Sequence, residues 1–182
     1  MRIRRSLTAT FLLIGLLAGC ASDDDLSIDP PSEPLPDPVA APSTPESAPV
    51  TSLVILSTTN LQDVDGSGTS TQLPFAAYLY AHPHPAPKWE RGTFEFALYS
   101  ASAAQQQGVP TAEPLATWSW DADQAFSARS ENLVGRFYTF LIDFDQRNIS
   151  LAGVRGFQFL VRFTPEAGGP TVRSALKTVW CQ

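Results

Sequence analysis

The chain has 182 residues, with 12 basic and 18 acidic side chains and a formal net charge of −6. An acidic chain without a basic stripe lacks the charge that binds phosphate backbones, so we expect no nucleic-acid partner. The part beyond residue 50 has about 130 residues, which is enough for one domain with its own core.

The N-terminus is typical of an export signal. Three arginines among the first five residues precede an apolar run from Leu7 to Leu16. This run is too short for a transmembrane helix, which needs about twenty residues. Small residues follow and lead to Cys20. We therefore expect residues 1–19 to be a cleaved signal peptide.

The residues around the expected cleavage site carry a family resemblance. Leu17-Ala18-Gly19-Cys20 resembles the lipobox of bacterial lipoproteins. In that family the cysteine is acylated, and cleavage makes it the first residue of the mature protein. One acyl chain binds a membrane only marginally, and the three chains typical of the family give stable attachment. The resemblance implies lipidation of Cys20 and attachment to the bacterial envelope. Ala21 follows where Asp would favour the inner membrane, so the resemblance favours the outer membrane.

Residues 20–49 are predicted to be the lipidated cysteine and a disordered tether. Residues 21–49 hold seven acids, no bases and eight of the sixteen prolines. Such a segment buries too little apolar surface to offset its ordering entropy. At about 3.1 Å per residue it reaches at most roughly 90 Å. A proline-rich ligand around Pro34-Leu35-Pro36 is the alternative.

The remainder of the chain, residues 50–182, has the apolar alternation of β-strands. Strands are predicted at 51–58, 73–81, 93–100, 114–120, 135–143, 156–164 and 171–180. One face of each sheet should lie in the core and one in water, and strand 135–143, apolar on both faces, should be the most central. Short helices are expected only within 101–107 and 145–152. The fold class is therefore all-β, a single antiparallel β-sandwich of about seven strands.

The strand order, the size and the lipobox together are similar to C2-like sandwiches that bind calcium and lipid. They are also similar to the transthyretin-like domain of type VI secretion lipoproteins. This likeness is at the level of the fold and transfers no function. Acylation of Cys20 would leave Cys181 as the only other cysteine, so no disulfide is expected within the domain.

Aspartate pairs are the metal candidates, since Ca²⁺ takes six to eight oxygen ligands. Three pairs follow predicted strands: Asp63/Asp65, Asp121/Asp123 and Asp143/Asp145. Alternating strands would put the first and third pairs at one rim and the second at the other. However, Asp and Gly also occupy turns for backbone reasons. We therefore expect no metal or other cofactor, with Ca²⁺ at the first and third pairs as the alternative.

The sequence offers few other candidates for a zinc site or a catalytic site. His82 and His84 supply two imidazoles where zinc usually wants three or four protein ligands, so we expect a stiff loop there. No serine lies in G-x-S-x-G, no glycine-rich phosphate loop opens a helix, and Cys181 lies next to the C-terminus. We therefore expect no enzyme activity and no catalytic residue.

Trp89 is the candidate binding residue. It lies between Lys88 and Glu90 in a proline-flanked loop and is expected to be the most exposed aromatic ring. Tryptophan close to Arg91 is typical of recognition hot spots. We nevertheless favour the interpretation that the ring folds over the end of the sandwich, because large aromatic rings are mostly buried.

Three functional hypotheses remain. The first is an anchored, non-enzymatic sandwich that binds another envelope protein or stabilises an assembly. The second is a carbohydrate or small-ligand binder that uses aromatic rings and Ca²⁺. The third is a hydrolase with an unrecognised site.

Overall fold

The structure, a computed structural model, describes residues 42–64, 66, 70–147, 149–151 and 153–181. Cys20, most of the expected tether and Asp65 lie outside the described residues. Within the described residues, no helix is long and apolar enough to cross a membrane.

The regular elements are mostly strands. In chain order they are β1 (Ser52–Ser57), β2 (Gln72–Tyr80), β3 (Gly92–Ser100), β4 (Gln105–Gln106), β5 (Val109–Pro110), β6 (Ala116–Trp120), α1 (Ala122–Ser127), β7 (Arg129–Asn132), β8 (Gly135–Asp143), a 3-10 helix (Asp145–Arg147), β9 (Gly156–Pro165), β10 (Val172–Arg173) and β11 (Lys177–Trp180).

Two antiparallel sheets form the sandwich, which confirms the predicted fold class. The first has the order β1-β2-β8-β7 and the second the order β10-β9-β3-β6, with β11 also paired to β9. The predicted strand 171–180 is divided in two. Val172 lies opposite Phe163 and Lys177 opposite Phe159, so β9 advances four residues while its partner advances five. The extra residue makes a β-bulge around Ser174, whose hydroxyl accepts from Val161 N–H.

Several short elements were not expected from the sequence. The β4–β5 hairpin and β7 are strands outside the predicted set, and β4 lies in a predicted helical segment. The only α-helix among the described residues, α1, follows β6. The Asp121 carboxylate accepts from the backbone of Asp123 and Gln124, and the Gln124 side chain accepts from Asp121 N–H. This capping box can be read from the sequence, but the alternation of the preceding strand masked it, so the helix was not predicted.

Aromatic rings from both sheets fill the core. Phe75 of β2 lies 5.7 Å from Phe96 of β3 and 5.3 Å from Phe140 of β8, measured between ring centroids. The inward residues of β6 join them, because Trp118 lies 5.2 Å from Phe96 and Trp120 lies 4.6 Å from Phe140. Aromatic pairs at these separations add to the free energy of burial, so the core holds the two sheets together.

The prediction that strand 135–143 is the most central is wrong. Leu141 of β8 is 45 % exposed, because nothing in the described chain covers the outer face of the first sheet there. The outer face of the second sheet is covered instead. Its Tyr99 and Leu160 are buried beneath Ala103 and Leu176, which belong to connections folded over the sheet. The outer face of the second sheet, which was expected to face water, is therefore partly buried.

The folded domain begins before the predicted boundary at residue 50. Thr44 is buried and its hydroxyl donates to the carbonyl of Ala86. The Lys88 ammonium, 2 % exposed, donates to the carbonyls of Glu46 and Ala48 and pairs with a carboxylate of the same end of the sandwich. The last part of the expected tether therefore packs on the sandwich.

Candidate functional site

A cavity of about 460 Å³ opens at the end of the sandwich where this N-terminal segment docks. Three parts of the chain build most of it: the connection between β2 and β3, the α1–β7 segment and the start of β8. The lining residues are Thr44, Glu46, Lys88, Trp89, Glu90, Arg91, Phe126, Arg129, Arg136, Glu166 and Ala167.

Trp89 lies in the wall of this cavity and is partly buried against the core. Its indole N–H donates to the carbonyl of Phe137 at 3.2 Å. The ring is thus folded over the end of the sandwich, as the favoured interpretation held. The choice of Trp89 as the ring most open to solvent is wrong, because Trp180 is 53 % exposed.

Five side chains in the cavity form an alternating series of guanidinium groups and aromatic rings, which we call the Arg–aromatic ladder. Arg91 Cζ lies 5.1 Å from the Phe126 ring centroid, and Arg129 Cζ lies 3.2 Å from the same centroid. Arg129 Cζ is also 5.1 Å from the Trp89 ring, which Arg136 approaches to 4.7 Å. Each cation thus interacts with the negative face of a ring.

The strand register explains how two arginines reach one ring. Arg129 of β7 lies opposite Tyr138 of β8, and Glu131 lies opposite Arg136. Directly opposed residues, and residues two apart, share one face of an antiparallel pair. Arg129 and Arg136 are therefore diagonal neighbours on the face that carries the buried Tyr138. This face points toward the core, and the two arginines lie where the core opens into the cavity.

The charges of the ladder are only partly neutralised. Arg91 pairs with Glu166 at 2.8 Å and with Asp123 at 2.6 Å, and these carboxylates raise the pKa of the guanidinium. Arg129 donates through Nε to the carbonyl of Phe126 at 2.8 Å. Within the described part of the chain, no carboxylate lies within ion-pair distance of Arg129 or Arg136. Two positive charges at the cavity thus lack an acidic partner there.

Buried hydrogen bonds hold the wall that carries Trp89. The Tyr138 hydroxyl donates to the carbonyl of Glu90 and accepts from its N–H, both at 2.7 Å. Burial raises the pKa of Tyr138 to about 12. The Glu90 carboxylate lies 2.7 Å from the Lys88 ammonium. The residues on both sides of Trp89 are therefore fixed, which positions the ring for the two arginines.

The aspartates considered for Ca²⁺ are engaged in local structure. One Asp143 oxygen accepts from the backbone of Asp145 and Gln146, at 3.0 and 3.1 Å, and so caps the 3-10 helix. Its other oxygen accepts from the Gln72 side chain at 3.1 Å. Asp145 accepts from the Thr71 hydroxyl at 2.9 Å. These bonds give both carboxylates a structural role.

The remaining aspartates divide between the two ends of the sandwich. Asp63 is exposed and precedes Val64, whose N–H donates to Gln72 near Asp143. Asp121 and Asp123 lie at the cavity end, capping α1 and pairing with an arginine. Across the described ranges, no three His, Cys, Asp or Glu side chains are grouped closely enough to hold a metal ion.

The other sequence candidates lie outside the cavity. His82 is exposed in a turn that the His84 N–H closes by donating to Ala81 O at 2.9 Å. Cys181 is a free, half-buried thiol, and burial raises its pKa. A raised pKa leaves less thiolate at neutral pH and so a weaker nucleophile.

The sequence interpretation singled out Trp89 but missed the ladder around it. Arg136 carried a readable signal, since it occupies the inward-facing position of a strand that continues with Tyr138 and Phe140. Phe126 and Arg129 carried none, because their place depends on how α1 turns over the end of the sandwich. Comparison of the chain with protein-family models, with curated proteins and with solved structures finds no match.

Proposed function

We propose that this chain is a membrane-anchored lipoprotein of the bacterial envelope, with the outer membrane favoured. Its β-sandwich has a non-enzymatic role and binds another envelope protein through the cavity. The Arg–aromatic ladder is the observation that carries this proposal. The lipobox at Cys20 supports the anchor.

The composition of the ladder supports protein recognition. Tryptophan and arginine are the residue types that most often dominate binding energy at protein interfaces. Stacking on a ring holds a guanidinium group in place while the N–H groups in its plane stay available. The Arg136 side chain makes no hydrogen bond within the described residues, and Phe126 is 39 % exposed although it contacts two arginines. These are features of a preorganised contact surface.

The position of the cavity relative to the anchor supports an envelope partner. Thr44 and Glu46 line the cavity, so the chain from Cys20 reaches the domain beside this site. The 21 residues between Cys20 and Pro42 span at most about 75 Å even when fully extended. A partner at the cavity would therefore lie within that distance of the membrane surface that holds the anchor.

The alternative role, binding of carbohydrate or a small ligand with Ca²⁺, has weaker support. The Trp89 ring already contacts two guanidinium groups, and Asp143 and Asp145 already accept internal hydrogen bonds. Neither set offers a free aromatic plate or a group of free oxygens. We therefore place protein interaction first, and assign no catalytic residue and no cofactor.

The proposal can be tested by site-specific photo-crosslinking in intact cells. A photoreactive amino acid at Ala167, exposed at the cavity, should form an adduct with a membrane-associated protein. The same probe at Gln106, exposed on β4, is the control and should give none. The adduct should disappear in R129Q/R136Q. No adduct from position 167, or equal adducts from both positions, would argue against the proposal.

A further inference from the structure

We infer that the cavity is a carboxylate receptor that binds acidic side chains of an extended segment of a partner protein, with Arg129 and Arg136 as the binding groups. This inference rests on the proposed function and adds the chemical class of the ligand. Its starting point is that both guanidinium groups lie against aromatic rings, carry a positive charge and have no carboxylate within ion-pair distance among the described residues.

The free hydrogen-bond donors of the two arginines match the acceptor oxygens of carboxylates. A guanidinium group has five N–H donors in one plane and can bind both oxygens of a carboxylate at once. Arg129 uses its Nε on the carbonyl of Phe126, which leaves the four donors of its two terminal nitrogens. Arg136 uses none on the described residues. No acceptor among the described residues takes the remaining donors, so they stay available to a ligand.

The spacing of the charges also calls for an anion. The Cζ atoms of Arg129 and Arg136 lie 5.1 and 4.7 Å from one ring centroid, so they cannot be more than about 10 Å apart. Two like charges at this separation repel each other, and solvent screens the repulsion only in part, because Arg129 is exposed and Arg136 is half-buried. A carboxylate that contacts one or both of them would remove it. Neighbouring acidic residues of one peptide could supply a carboxylate to each arginine.

The acidic side chains around the cavity favour an acidic peptide over a broad anionic surface as the ligand. Glu46, Glu90 and Glu166 also line it, Asp123 lies on Arg91, and Glu131 of β7 lies opposite Arg136 of β8. The chain beyond the expected cleavage site has a net charge of about −9, because the first 19 residues contain only basic charges. A broad polyanion, such as an anionic lipid surface, would meet these acids. An extended peptide instead presents separate carboxylates on individual side chains, each of which can reach one arginine without a continuous anionic surface facing these acids, so we favour an acidic peptide.

The test is calorimetric titration of the purified full-length protein with end-blocked tetraglutamate, using tetraglutamine as the neutral probe. Tetraglutamate should bind and tetraglutamine should not. R129Q/R136Q should weaken binding at least about tenfold, as loss of charge-assisted hydrogen bonds predicts. R155Q/R173Q makes the same change in net charge away from the cavity, and it should change affinity by no more than about twofold. Binding should weaken with added salt.

A second set of variants separates recognition from folding. R136Q alone should lower the melting temperature by no more than about 4 °C, because the Arg136 side chain makes no hydrogen bond to the described residues and loses only its cation–π contact with Trp89, about 0.5–1 kcal/mol. It should still weaken binding. R129K/R136K keeps the charge but loses the planar fork, so it should also bind more weakly than the wild type.

Three outcomes would overturn the inference. These are no binding of tetraglutamate, an equal loss of affinity in R155Q/R173Q, or binding to phosphatidylglycerol vesicles without binding to the peptide. Other results would contradict the proposed function without contradicting this inference, or the reverse. An Ala167 crosslink without peptide binding would remove only the carboxylate assignment, whereas peptide binding without a crosslink would remove only the envelope partner.

Discussion

Replacement of Lys88 by methionine tests how the N-terminal segment is held on the sandwich. The Lys88 ammonium is 2 % exposed, pairs with the Glu90 carboxylate at 2.7 Å, and donates to the carbonyls of Glu46 and Ala48. Methionine keeps most of the side-chain volume and removes the charge. The substitution therefore leaves one carboxylate and two carbonyls without their common donor.

The size of the effect follows from burial. Removal of one partner from a buried ion pair costs about 3–5 kcal/mol. Glu90 is 22 % exposed and can regain some hydration, so we expect the lower end, about 3 kcal/mol. Each kcal/mol lowers the melting temperature of a domain of this size by about 2–4 °C, so K88M should melt about 6–12 °C lower. K177M is the matched control, because Lys177 makes no side-chain hydrogen bond or ion pair with the described residues, and it should leave the melting temperature nearly unchanged.

The assay compares melting of proteins that begin at residue 42 and at residue 50, each with Lys88 and with K88M. The disordered tether predicted over residues 21–49 implies that both lengths melt alike, because a disordered segment adds no packing to the domain. The docked segment leads to the opposite expectation. Removal of residues 42–49 should be destabilising, and less so in the K88M background, with a coupling free energy of at least about 1 kcal/mol.

Two results would refute this reasoning. One is equal melting temperatures for the two lengths with Lys88 intact, which would mean that the docked segment adds no stability. The other is a strictly additive cycle, which would mean that Lys88 does not act through that segment.

Three further predictions concern the anchor, pH and metal. Cys20→Ser should release the protein from membranes or leave it as uncleaved precursor, since no other anchoring segment was recognised in the sequence; a mutant that fractionates as processed and membrane-bound would contradict the lipobox. Burial raises the pKa of Tyr138 to about 12 from an unfolded value near 10, so its neutral form is favoured in the folded state. That stability is fully present below pH 10 and is lost as pH rises toward about 12, by up to about 3 kcal/mol. Urea unfolding across this range should show the decline, and Tyr138→Phe should flatten it; an unchanged slope would exclude Tyr138 as the cause. Millimolar Ca²⁺ should not raise the melting temperature relative to EDTA, because Asp143 and Asp145 already accept internal hydrogen bonds. A Ca²⁺-dependent rise that Asp143→Asn abolishes would revive the ligand-binding alternative.

The strands could be read from the sequence because their signal is local. In the segment around Phe94 and Phe96, apolar residues alternate with polar ones. This pattern predicts a strand whatever the topology, because any sheet that covers the apolar face stabilises it. Turn residues such as Gly168 and Gly169 act through their own backbone preferences. The capping box at Asp121 was equally local, but its helix has only six residues between two strands, where strand alternation dominates the pattern.

The ladder required the tertiary structure. Trp89, Phe126 and Arg136 come from three separate segments, and no spacing along the chain indicates that they meet. Their meeting depends on the register of β7 on β8 and on the turn of α1 over the end of the sandwich. The same holds for Lys88, whose acceptors lie about forty residues earlier in a stretch whose composition predicts disorder. Local patterns determined which residues form most of the strands and where an export signal is predicted, because both depend on neighbours in sequence. Tertiary packing decided which charges were buried, paired or left without an acid, because those properties depend on neighbours in space.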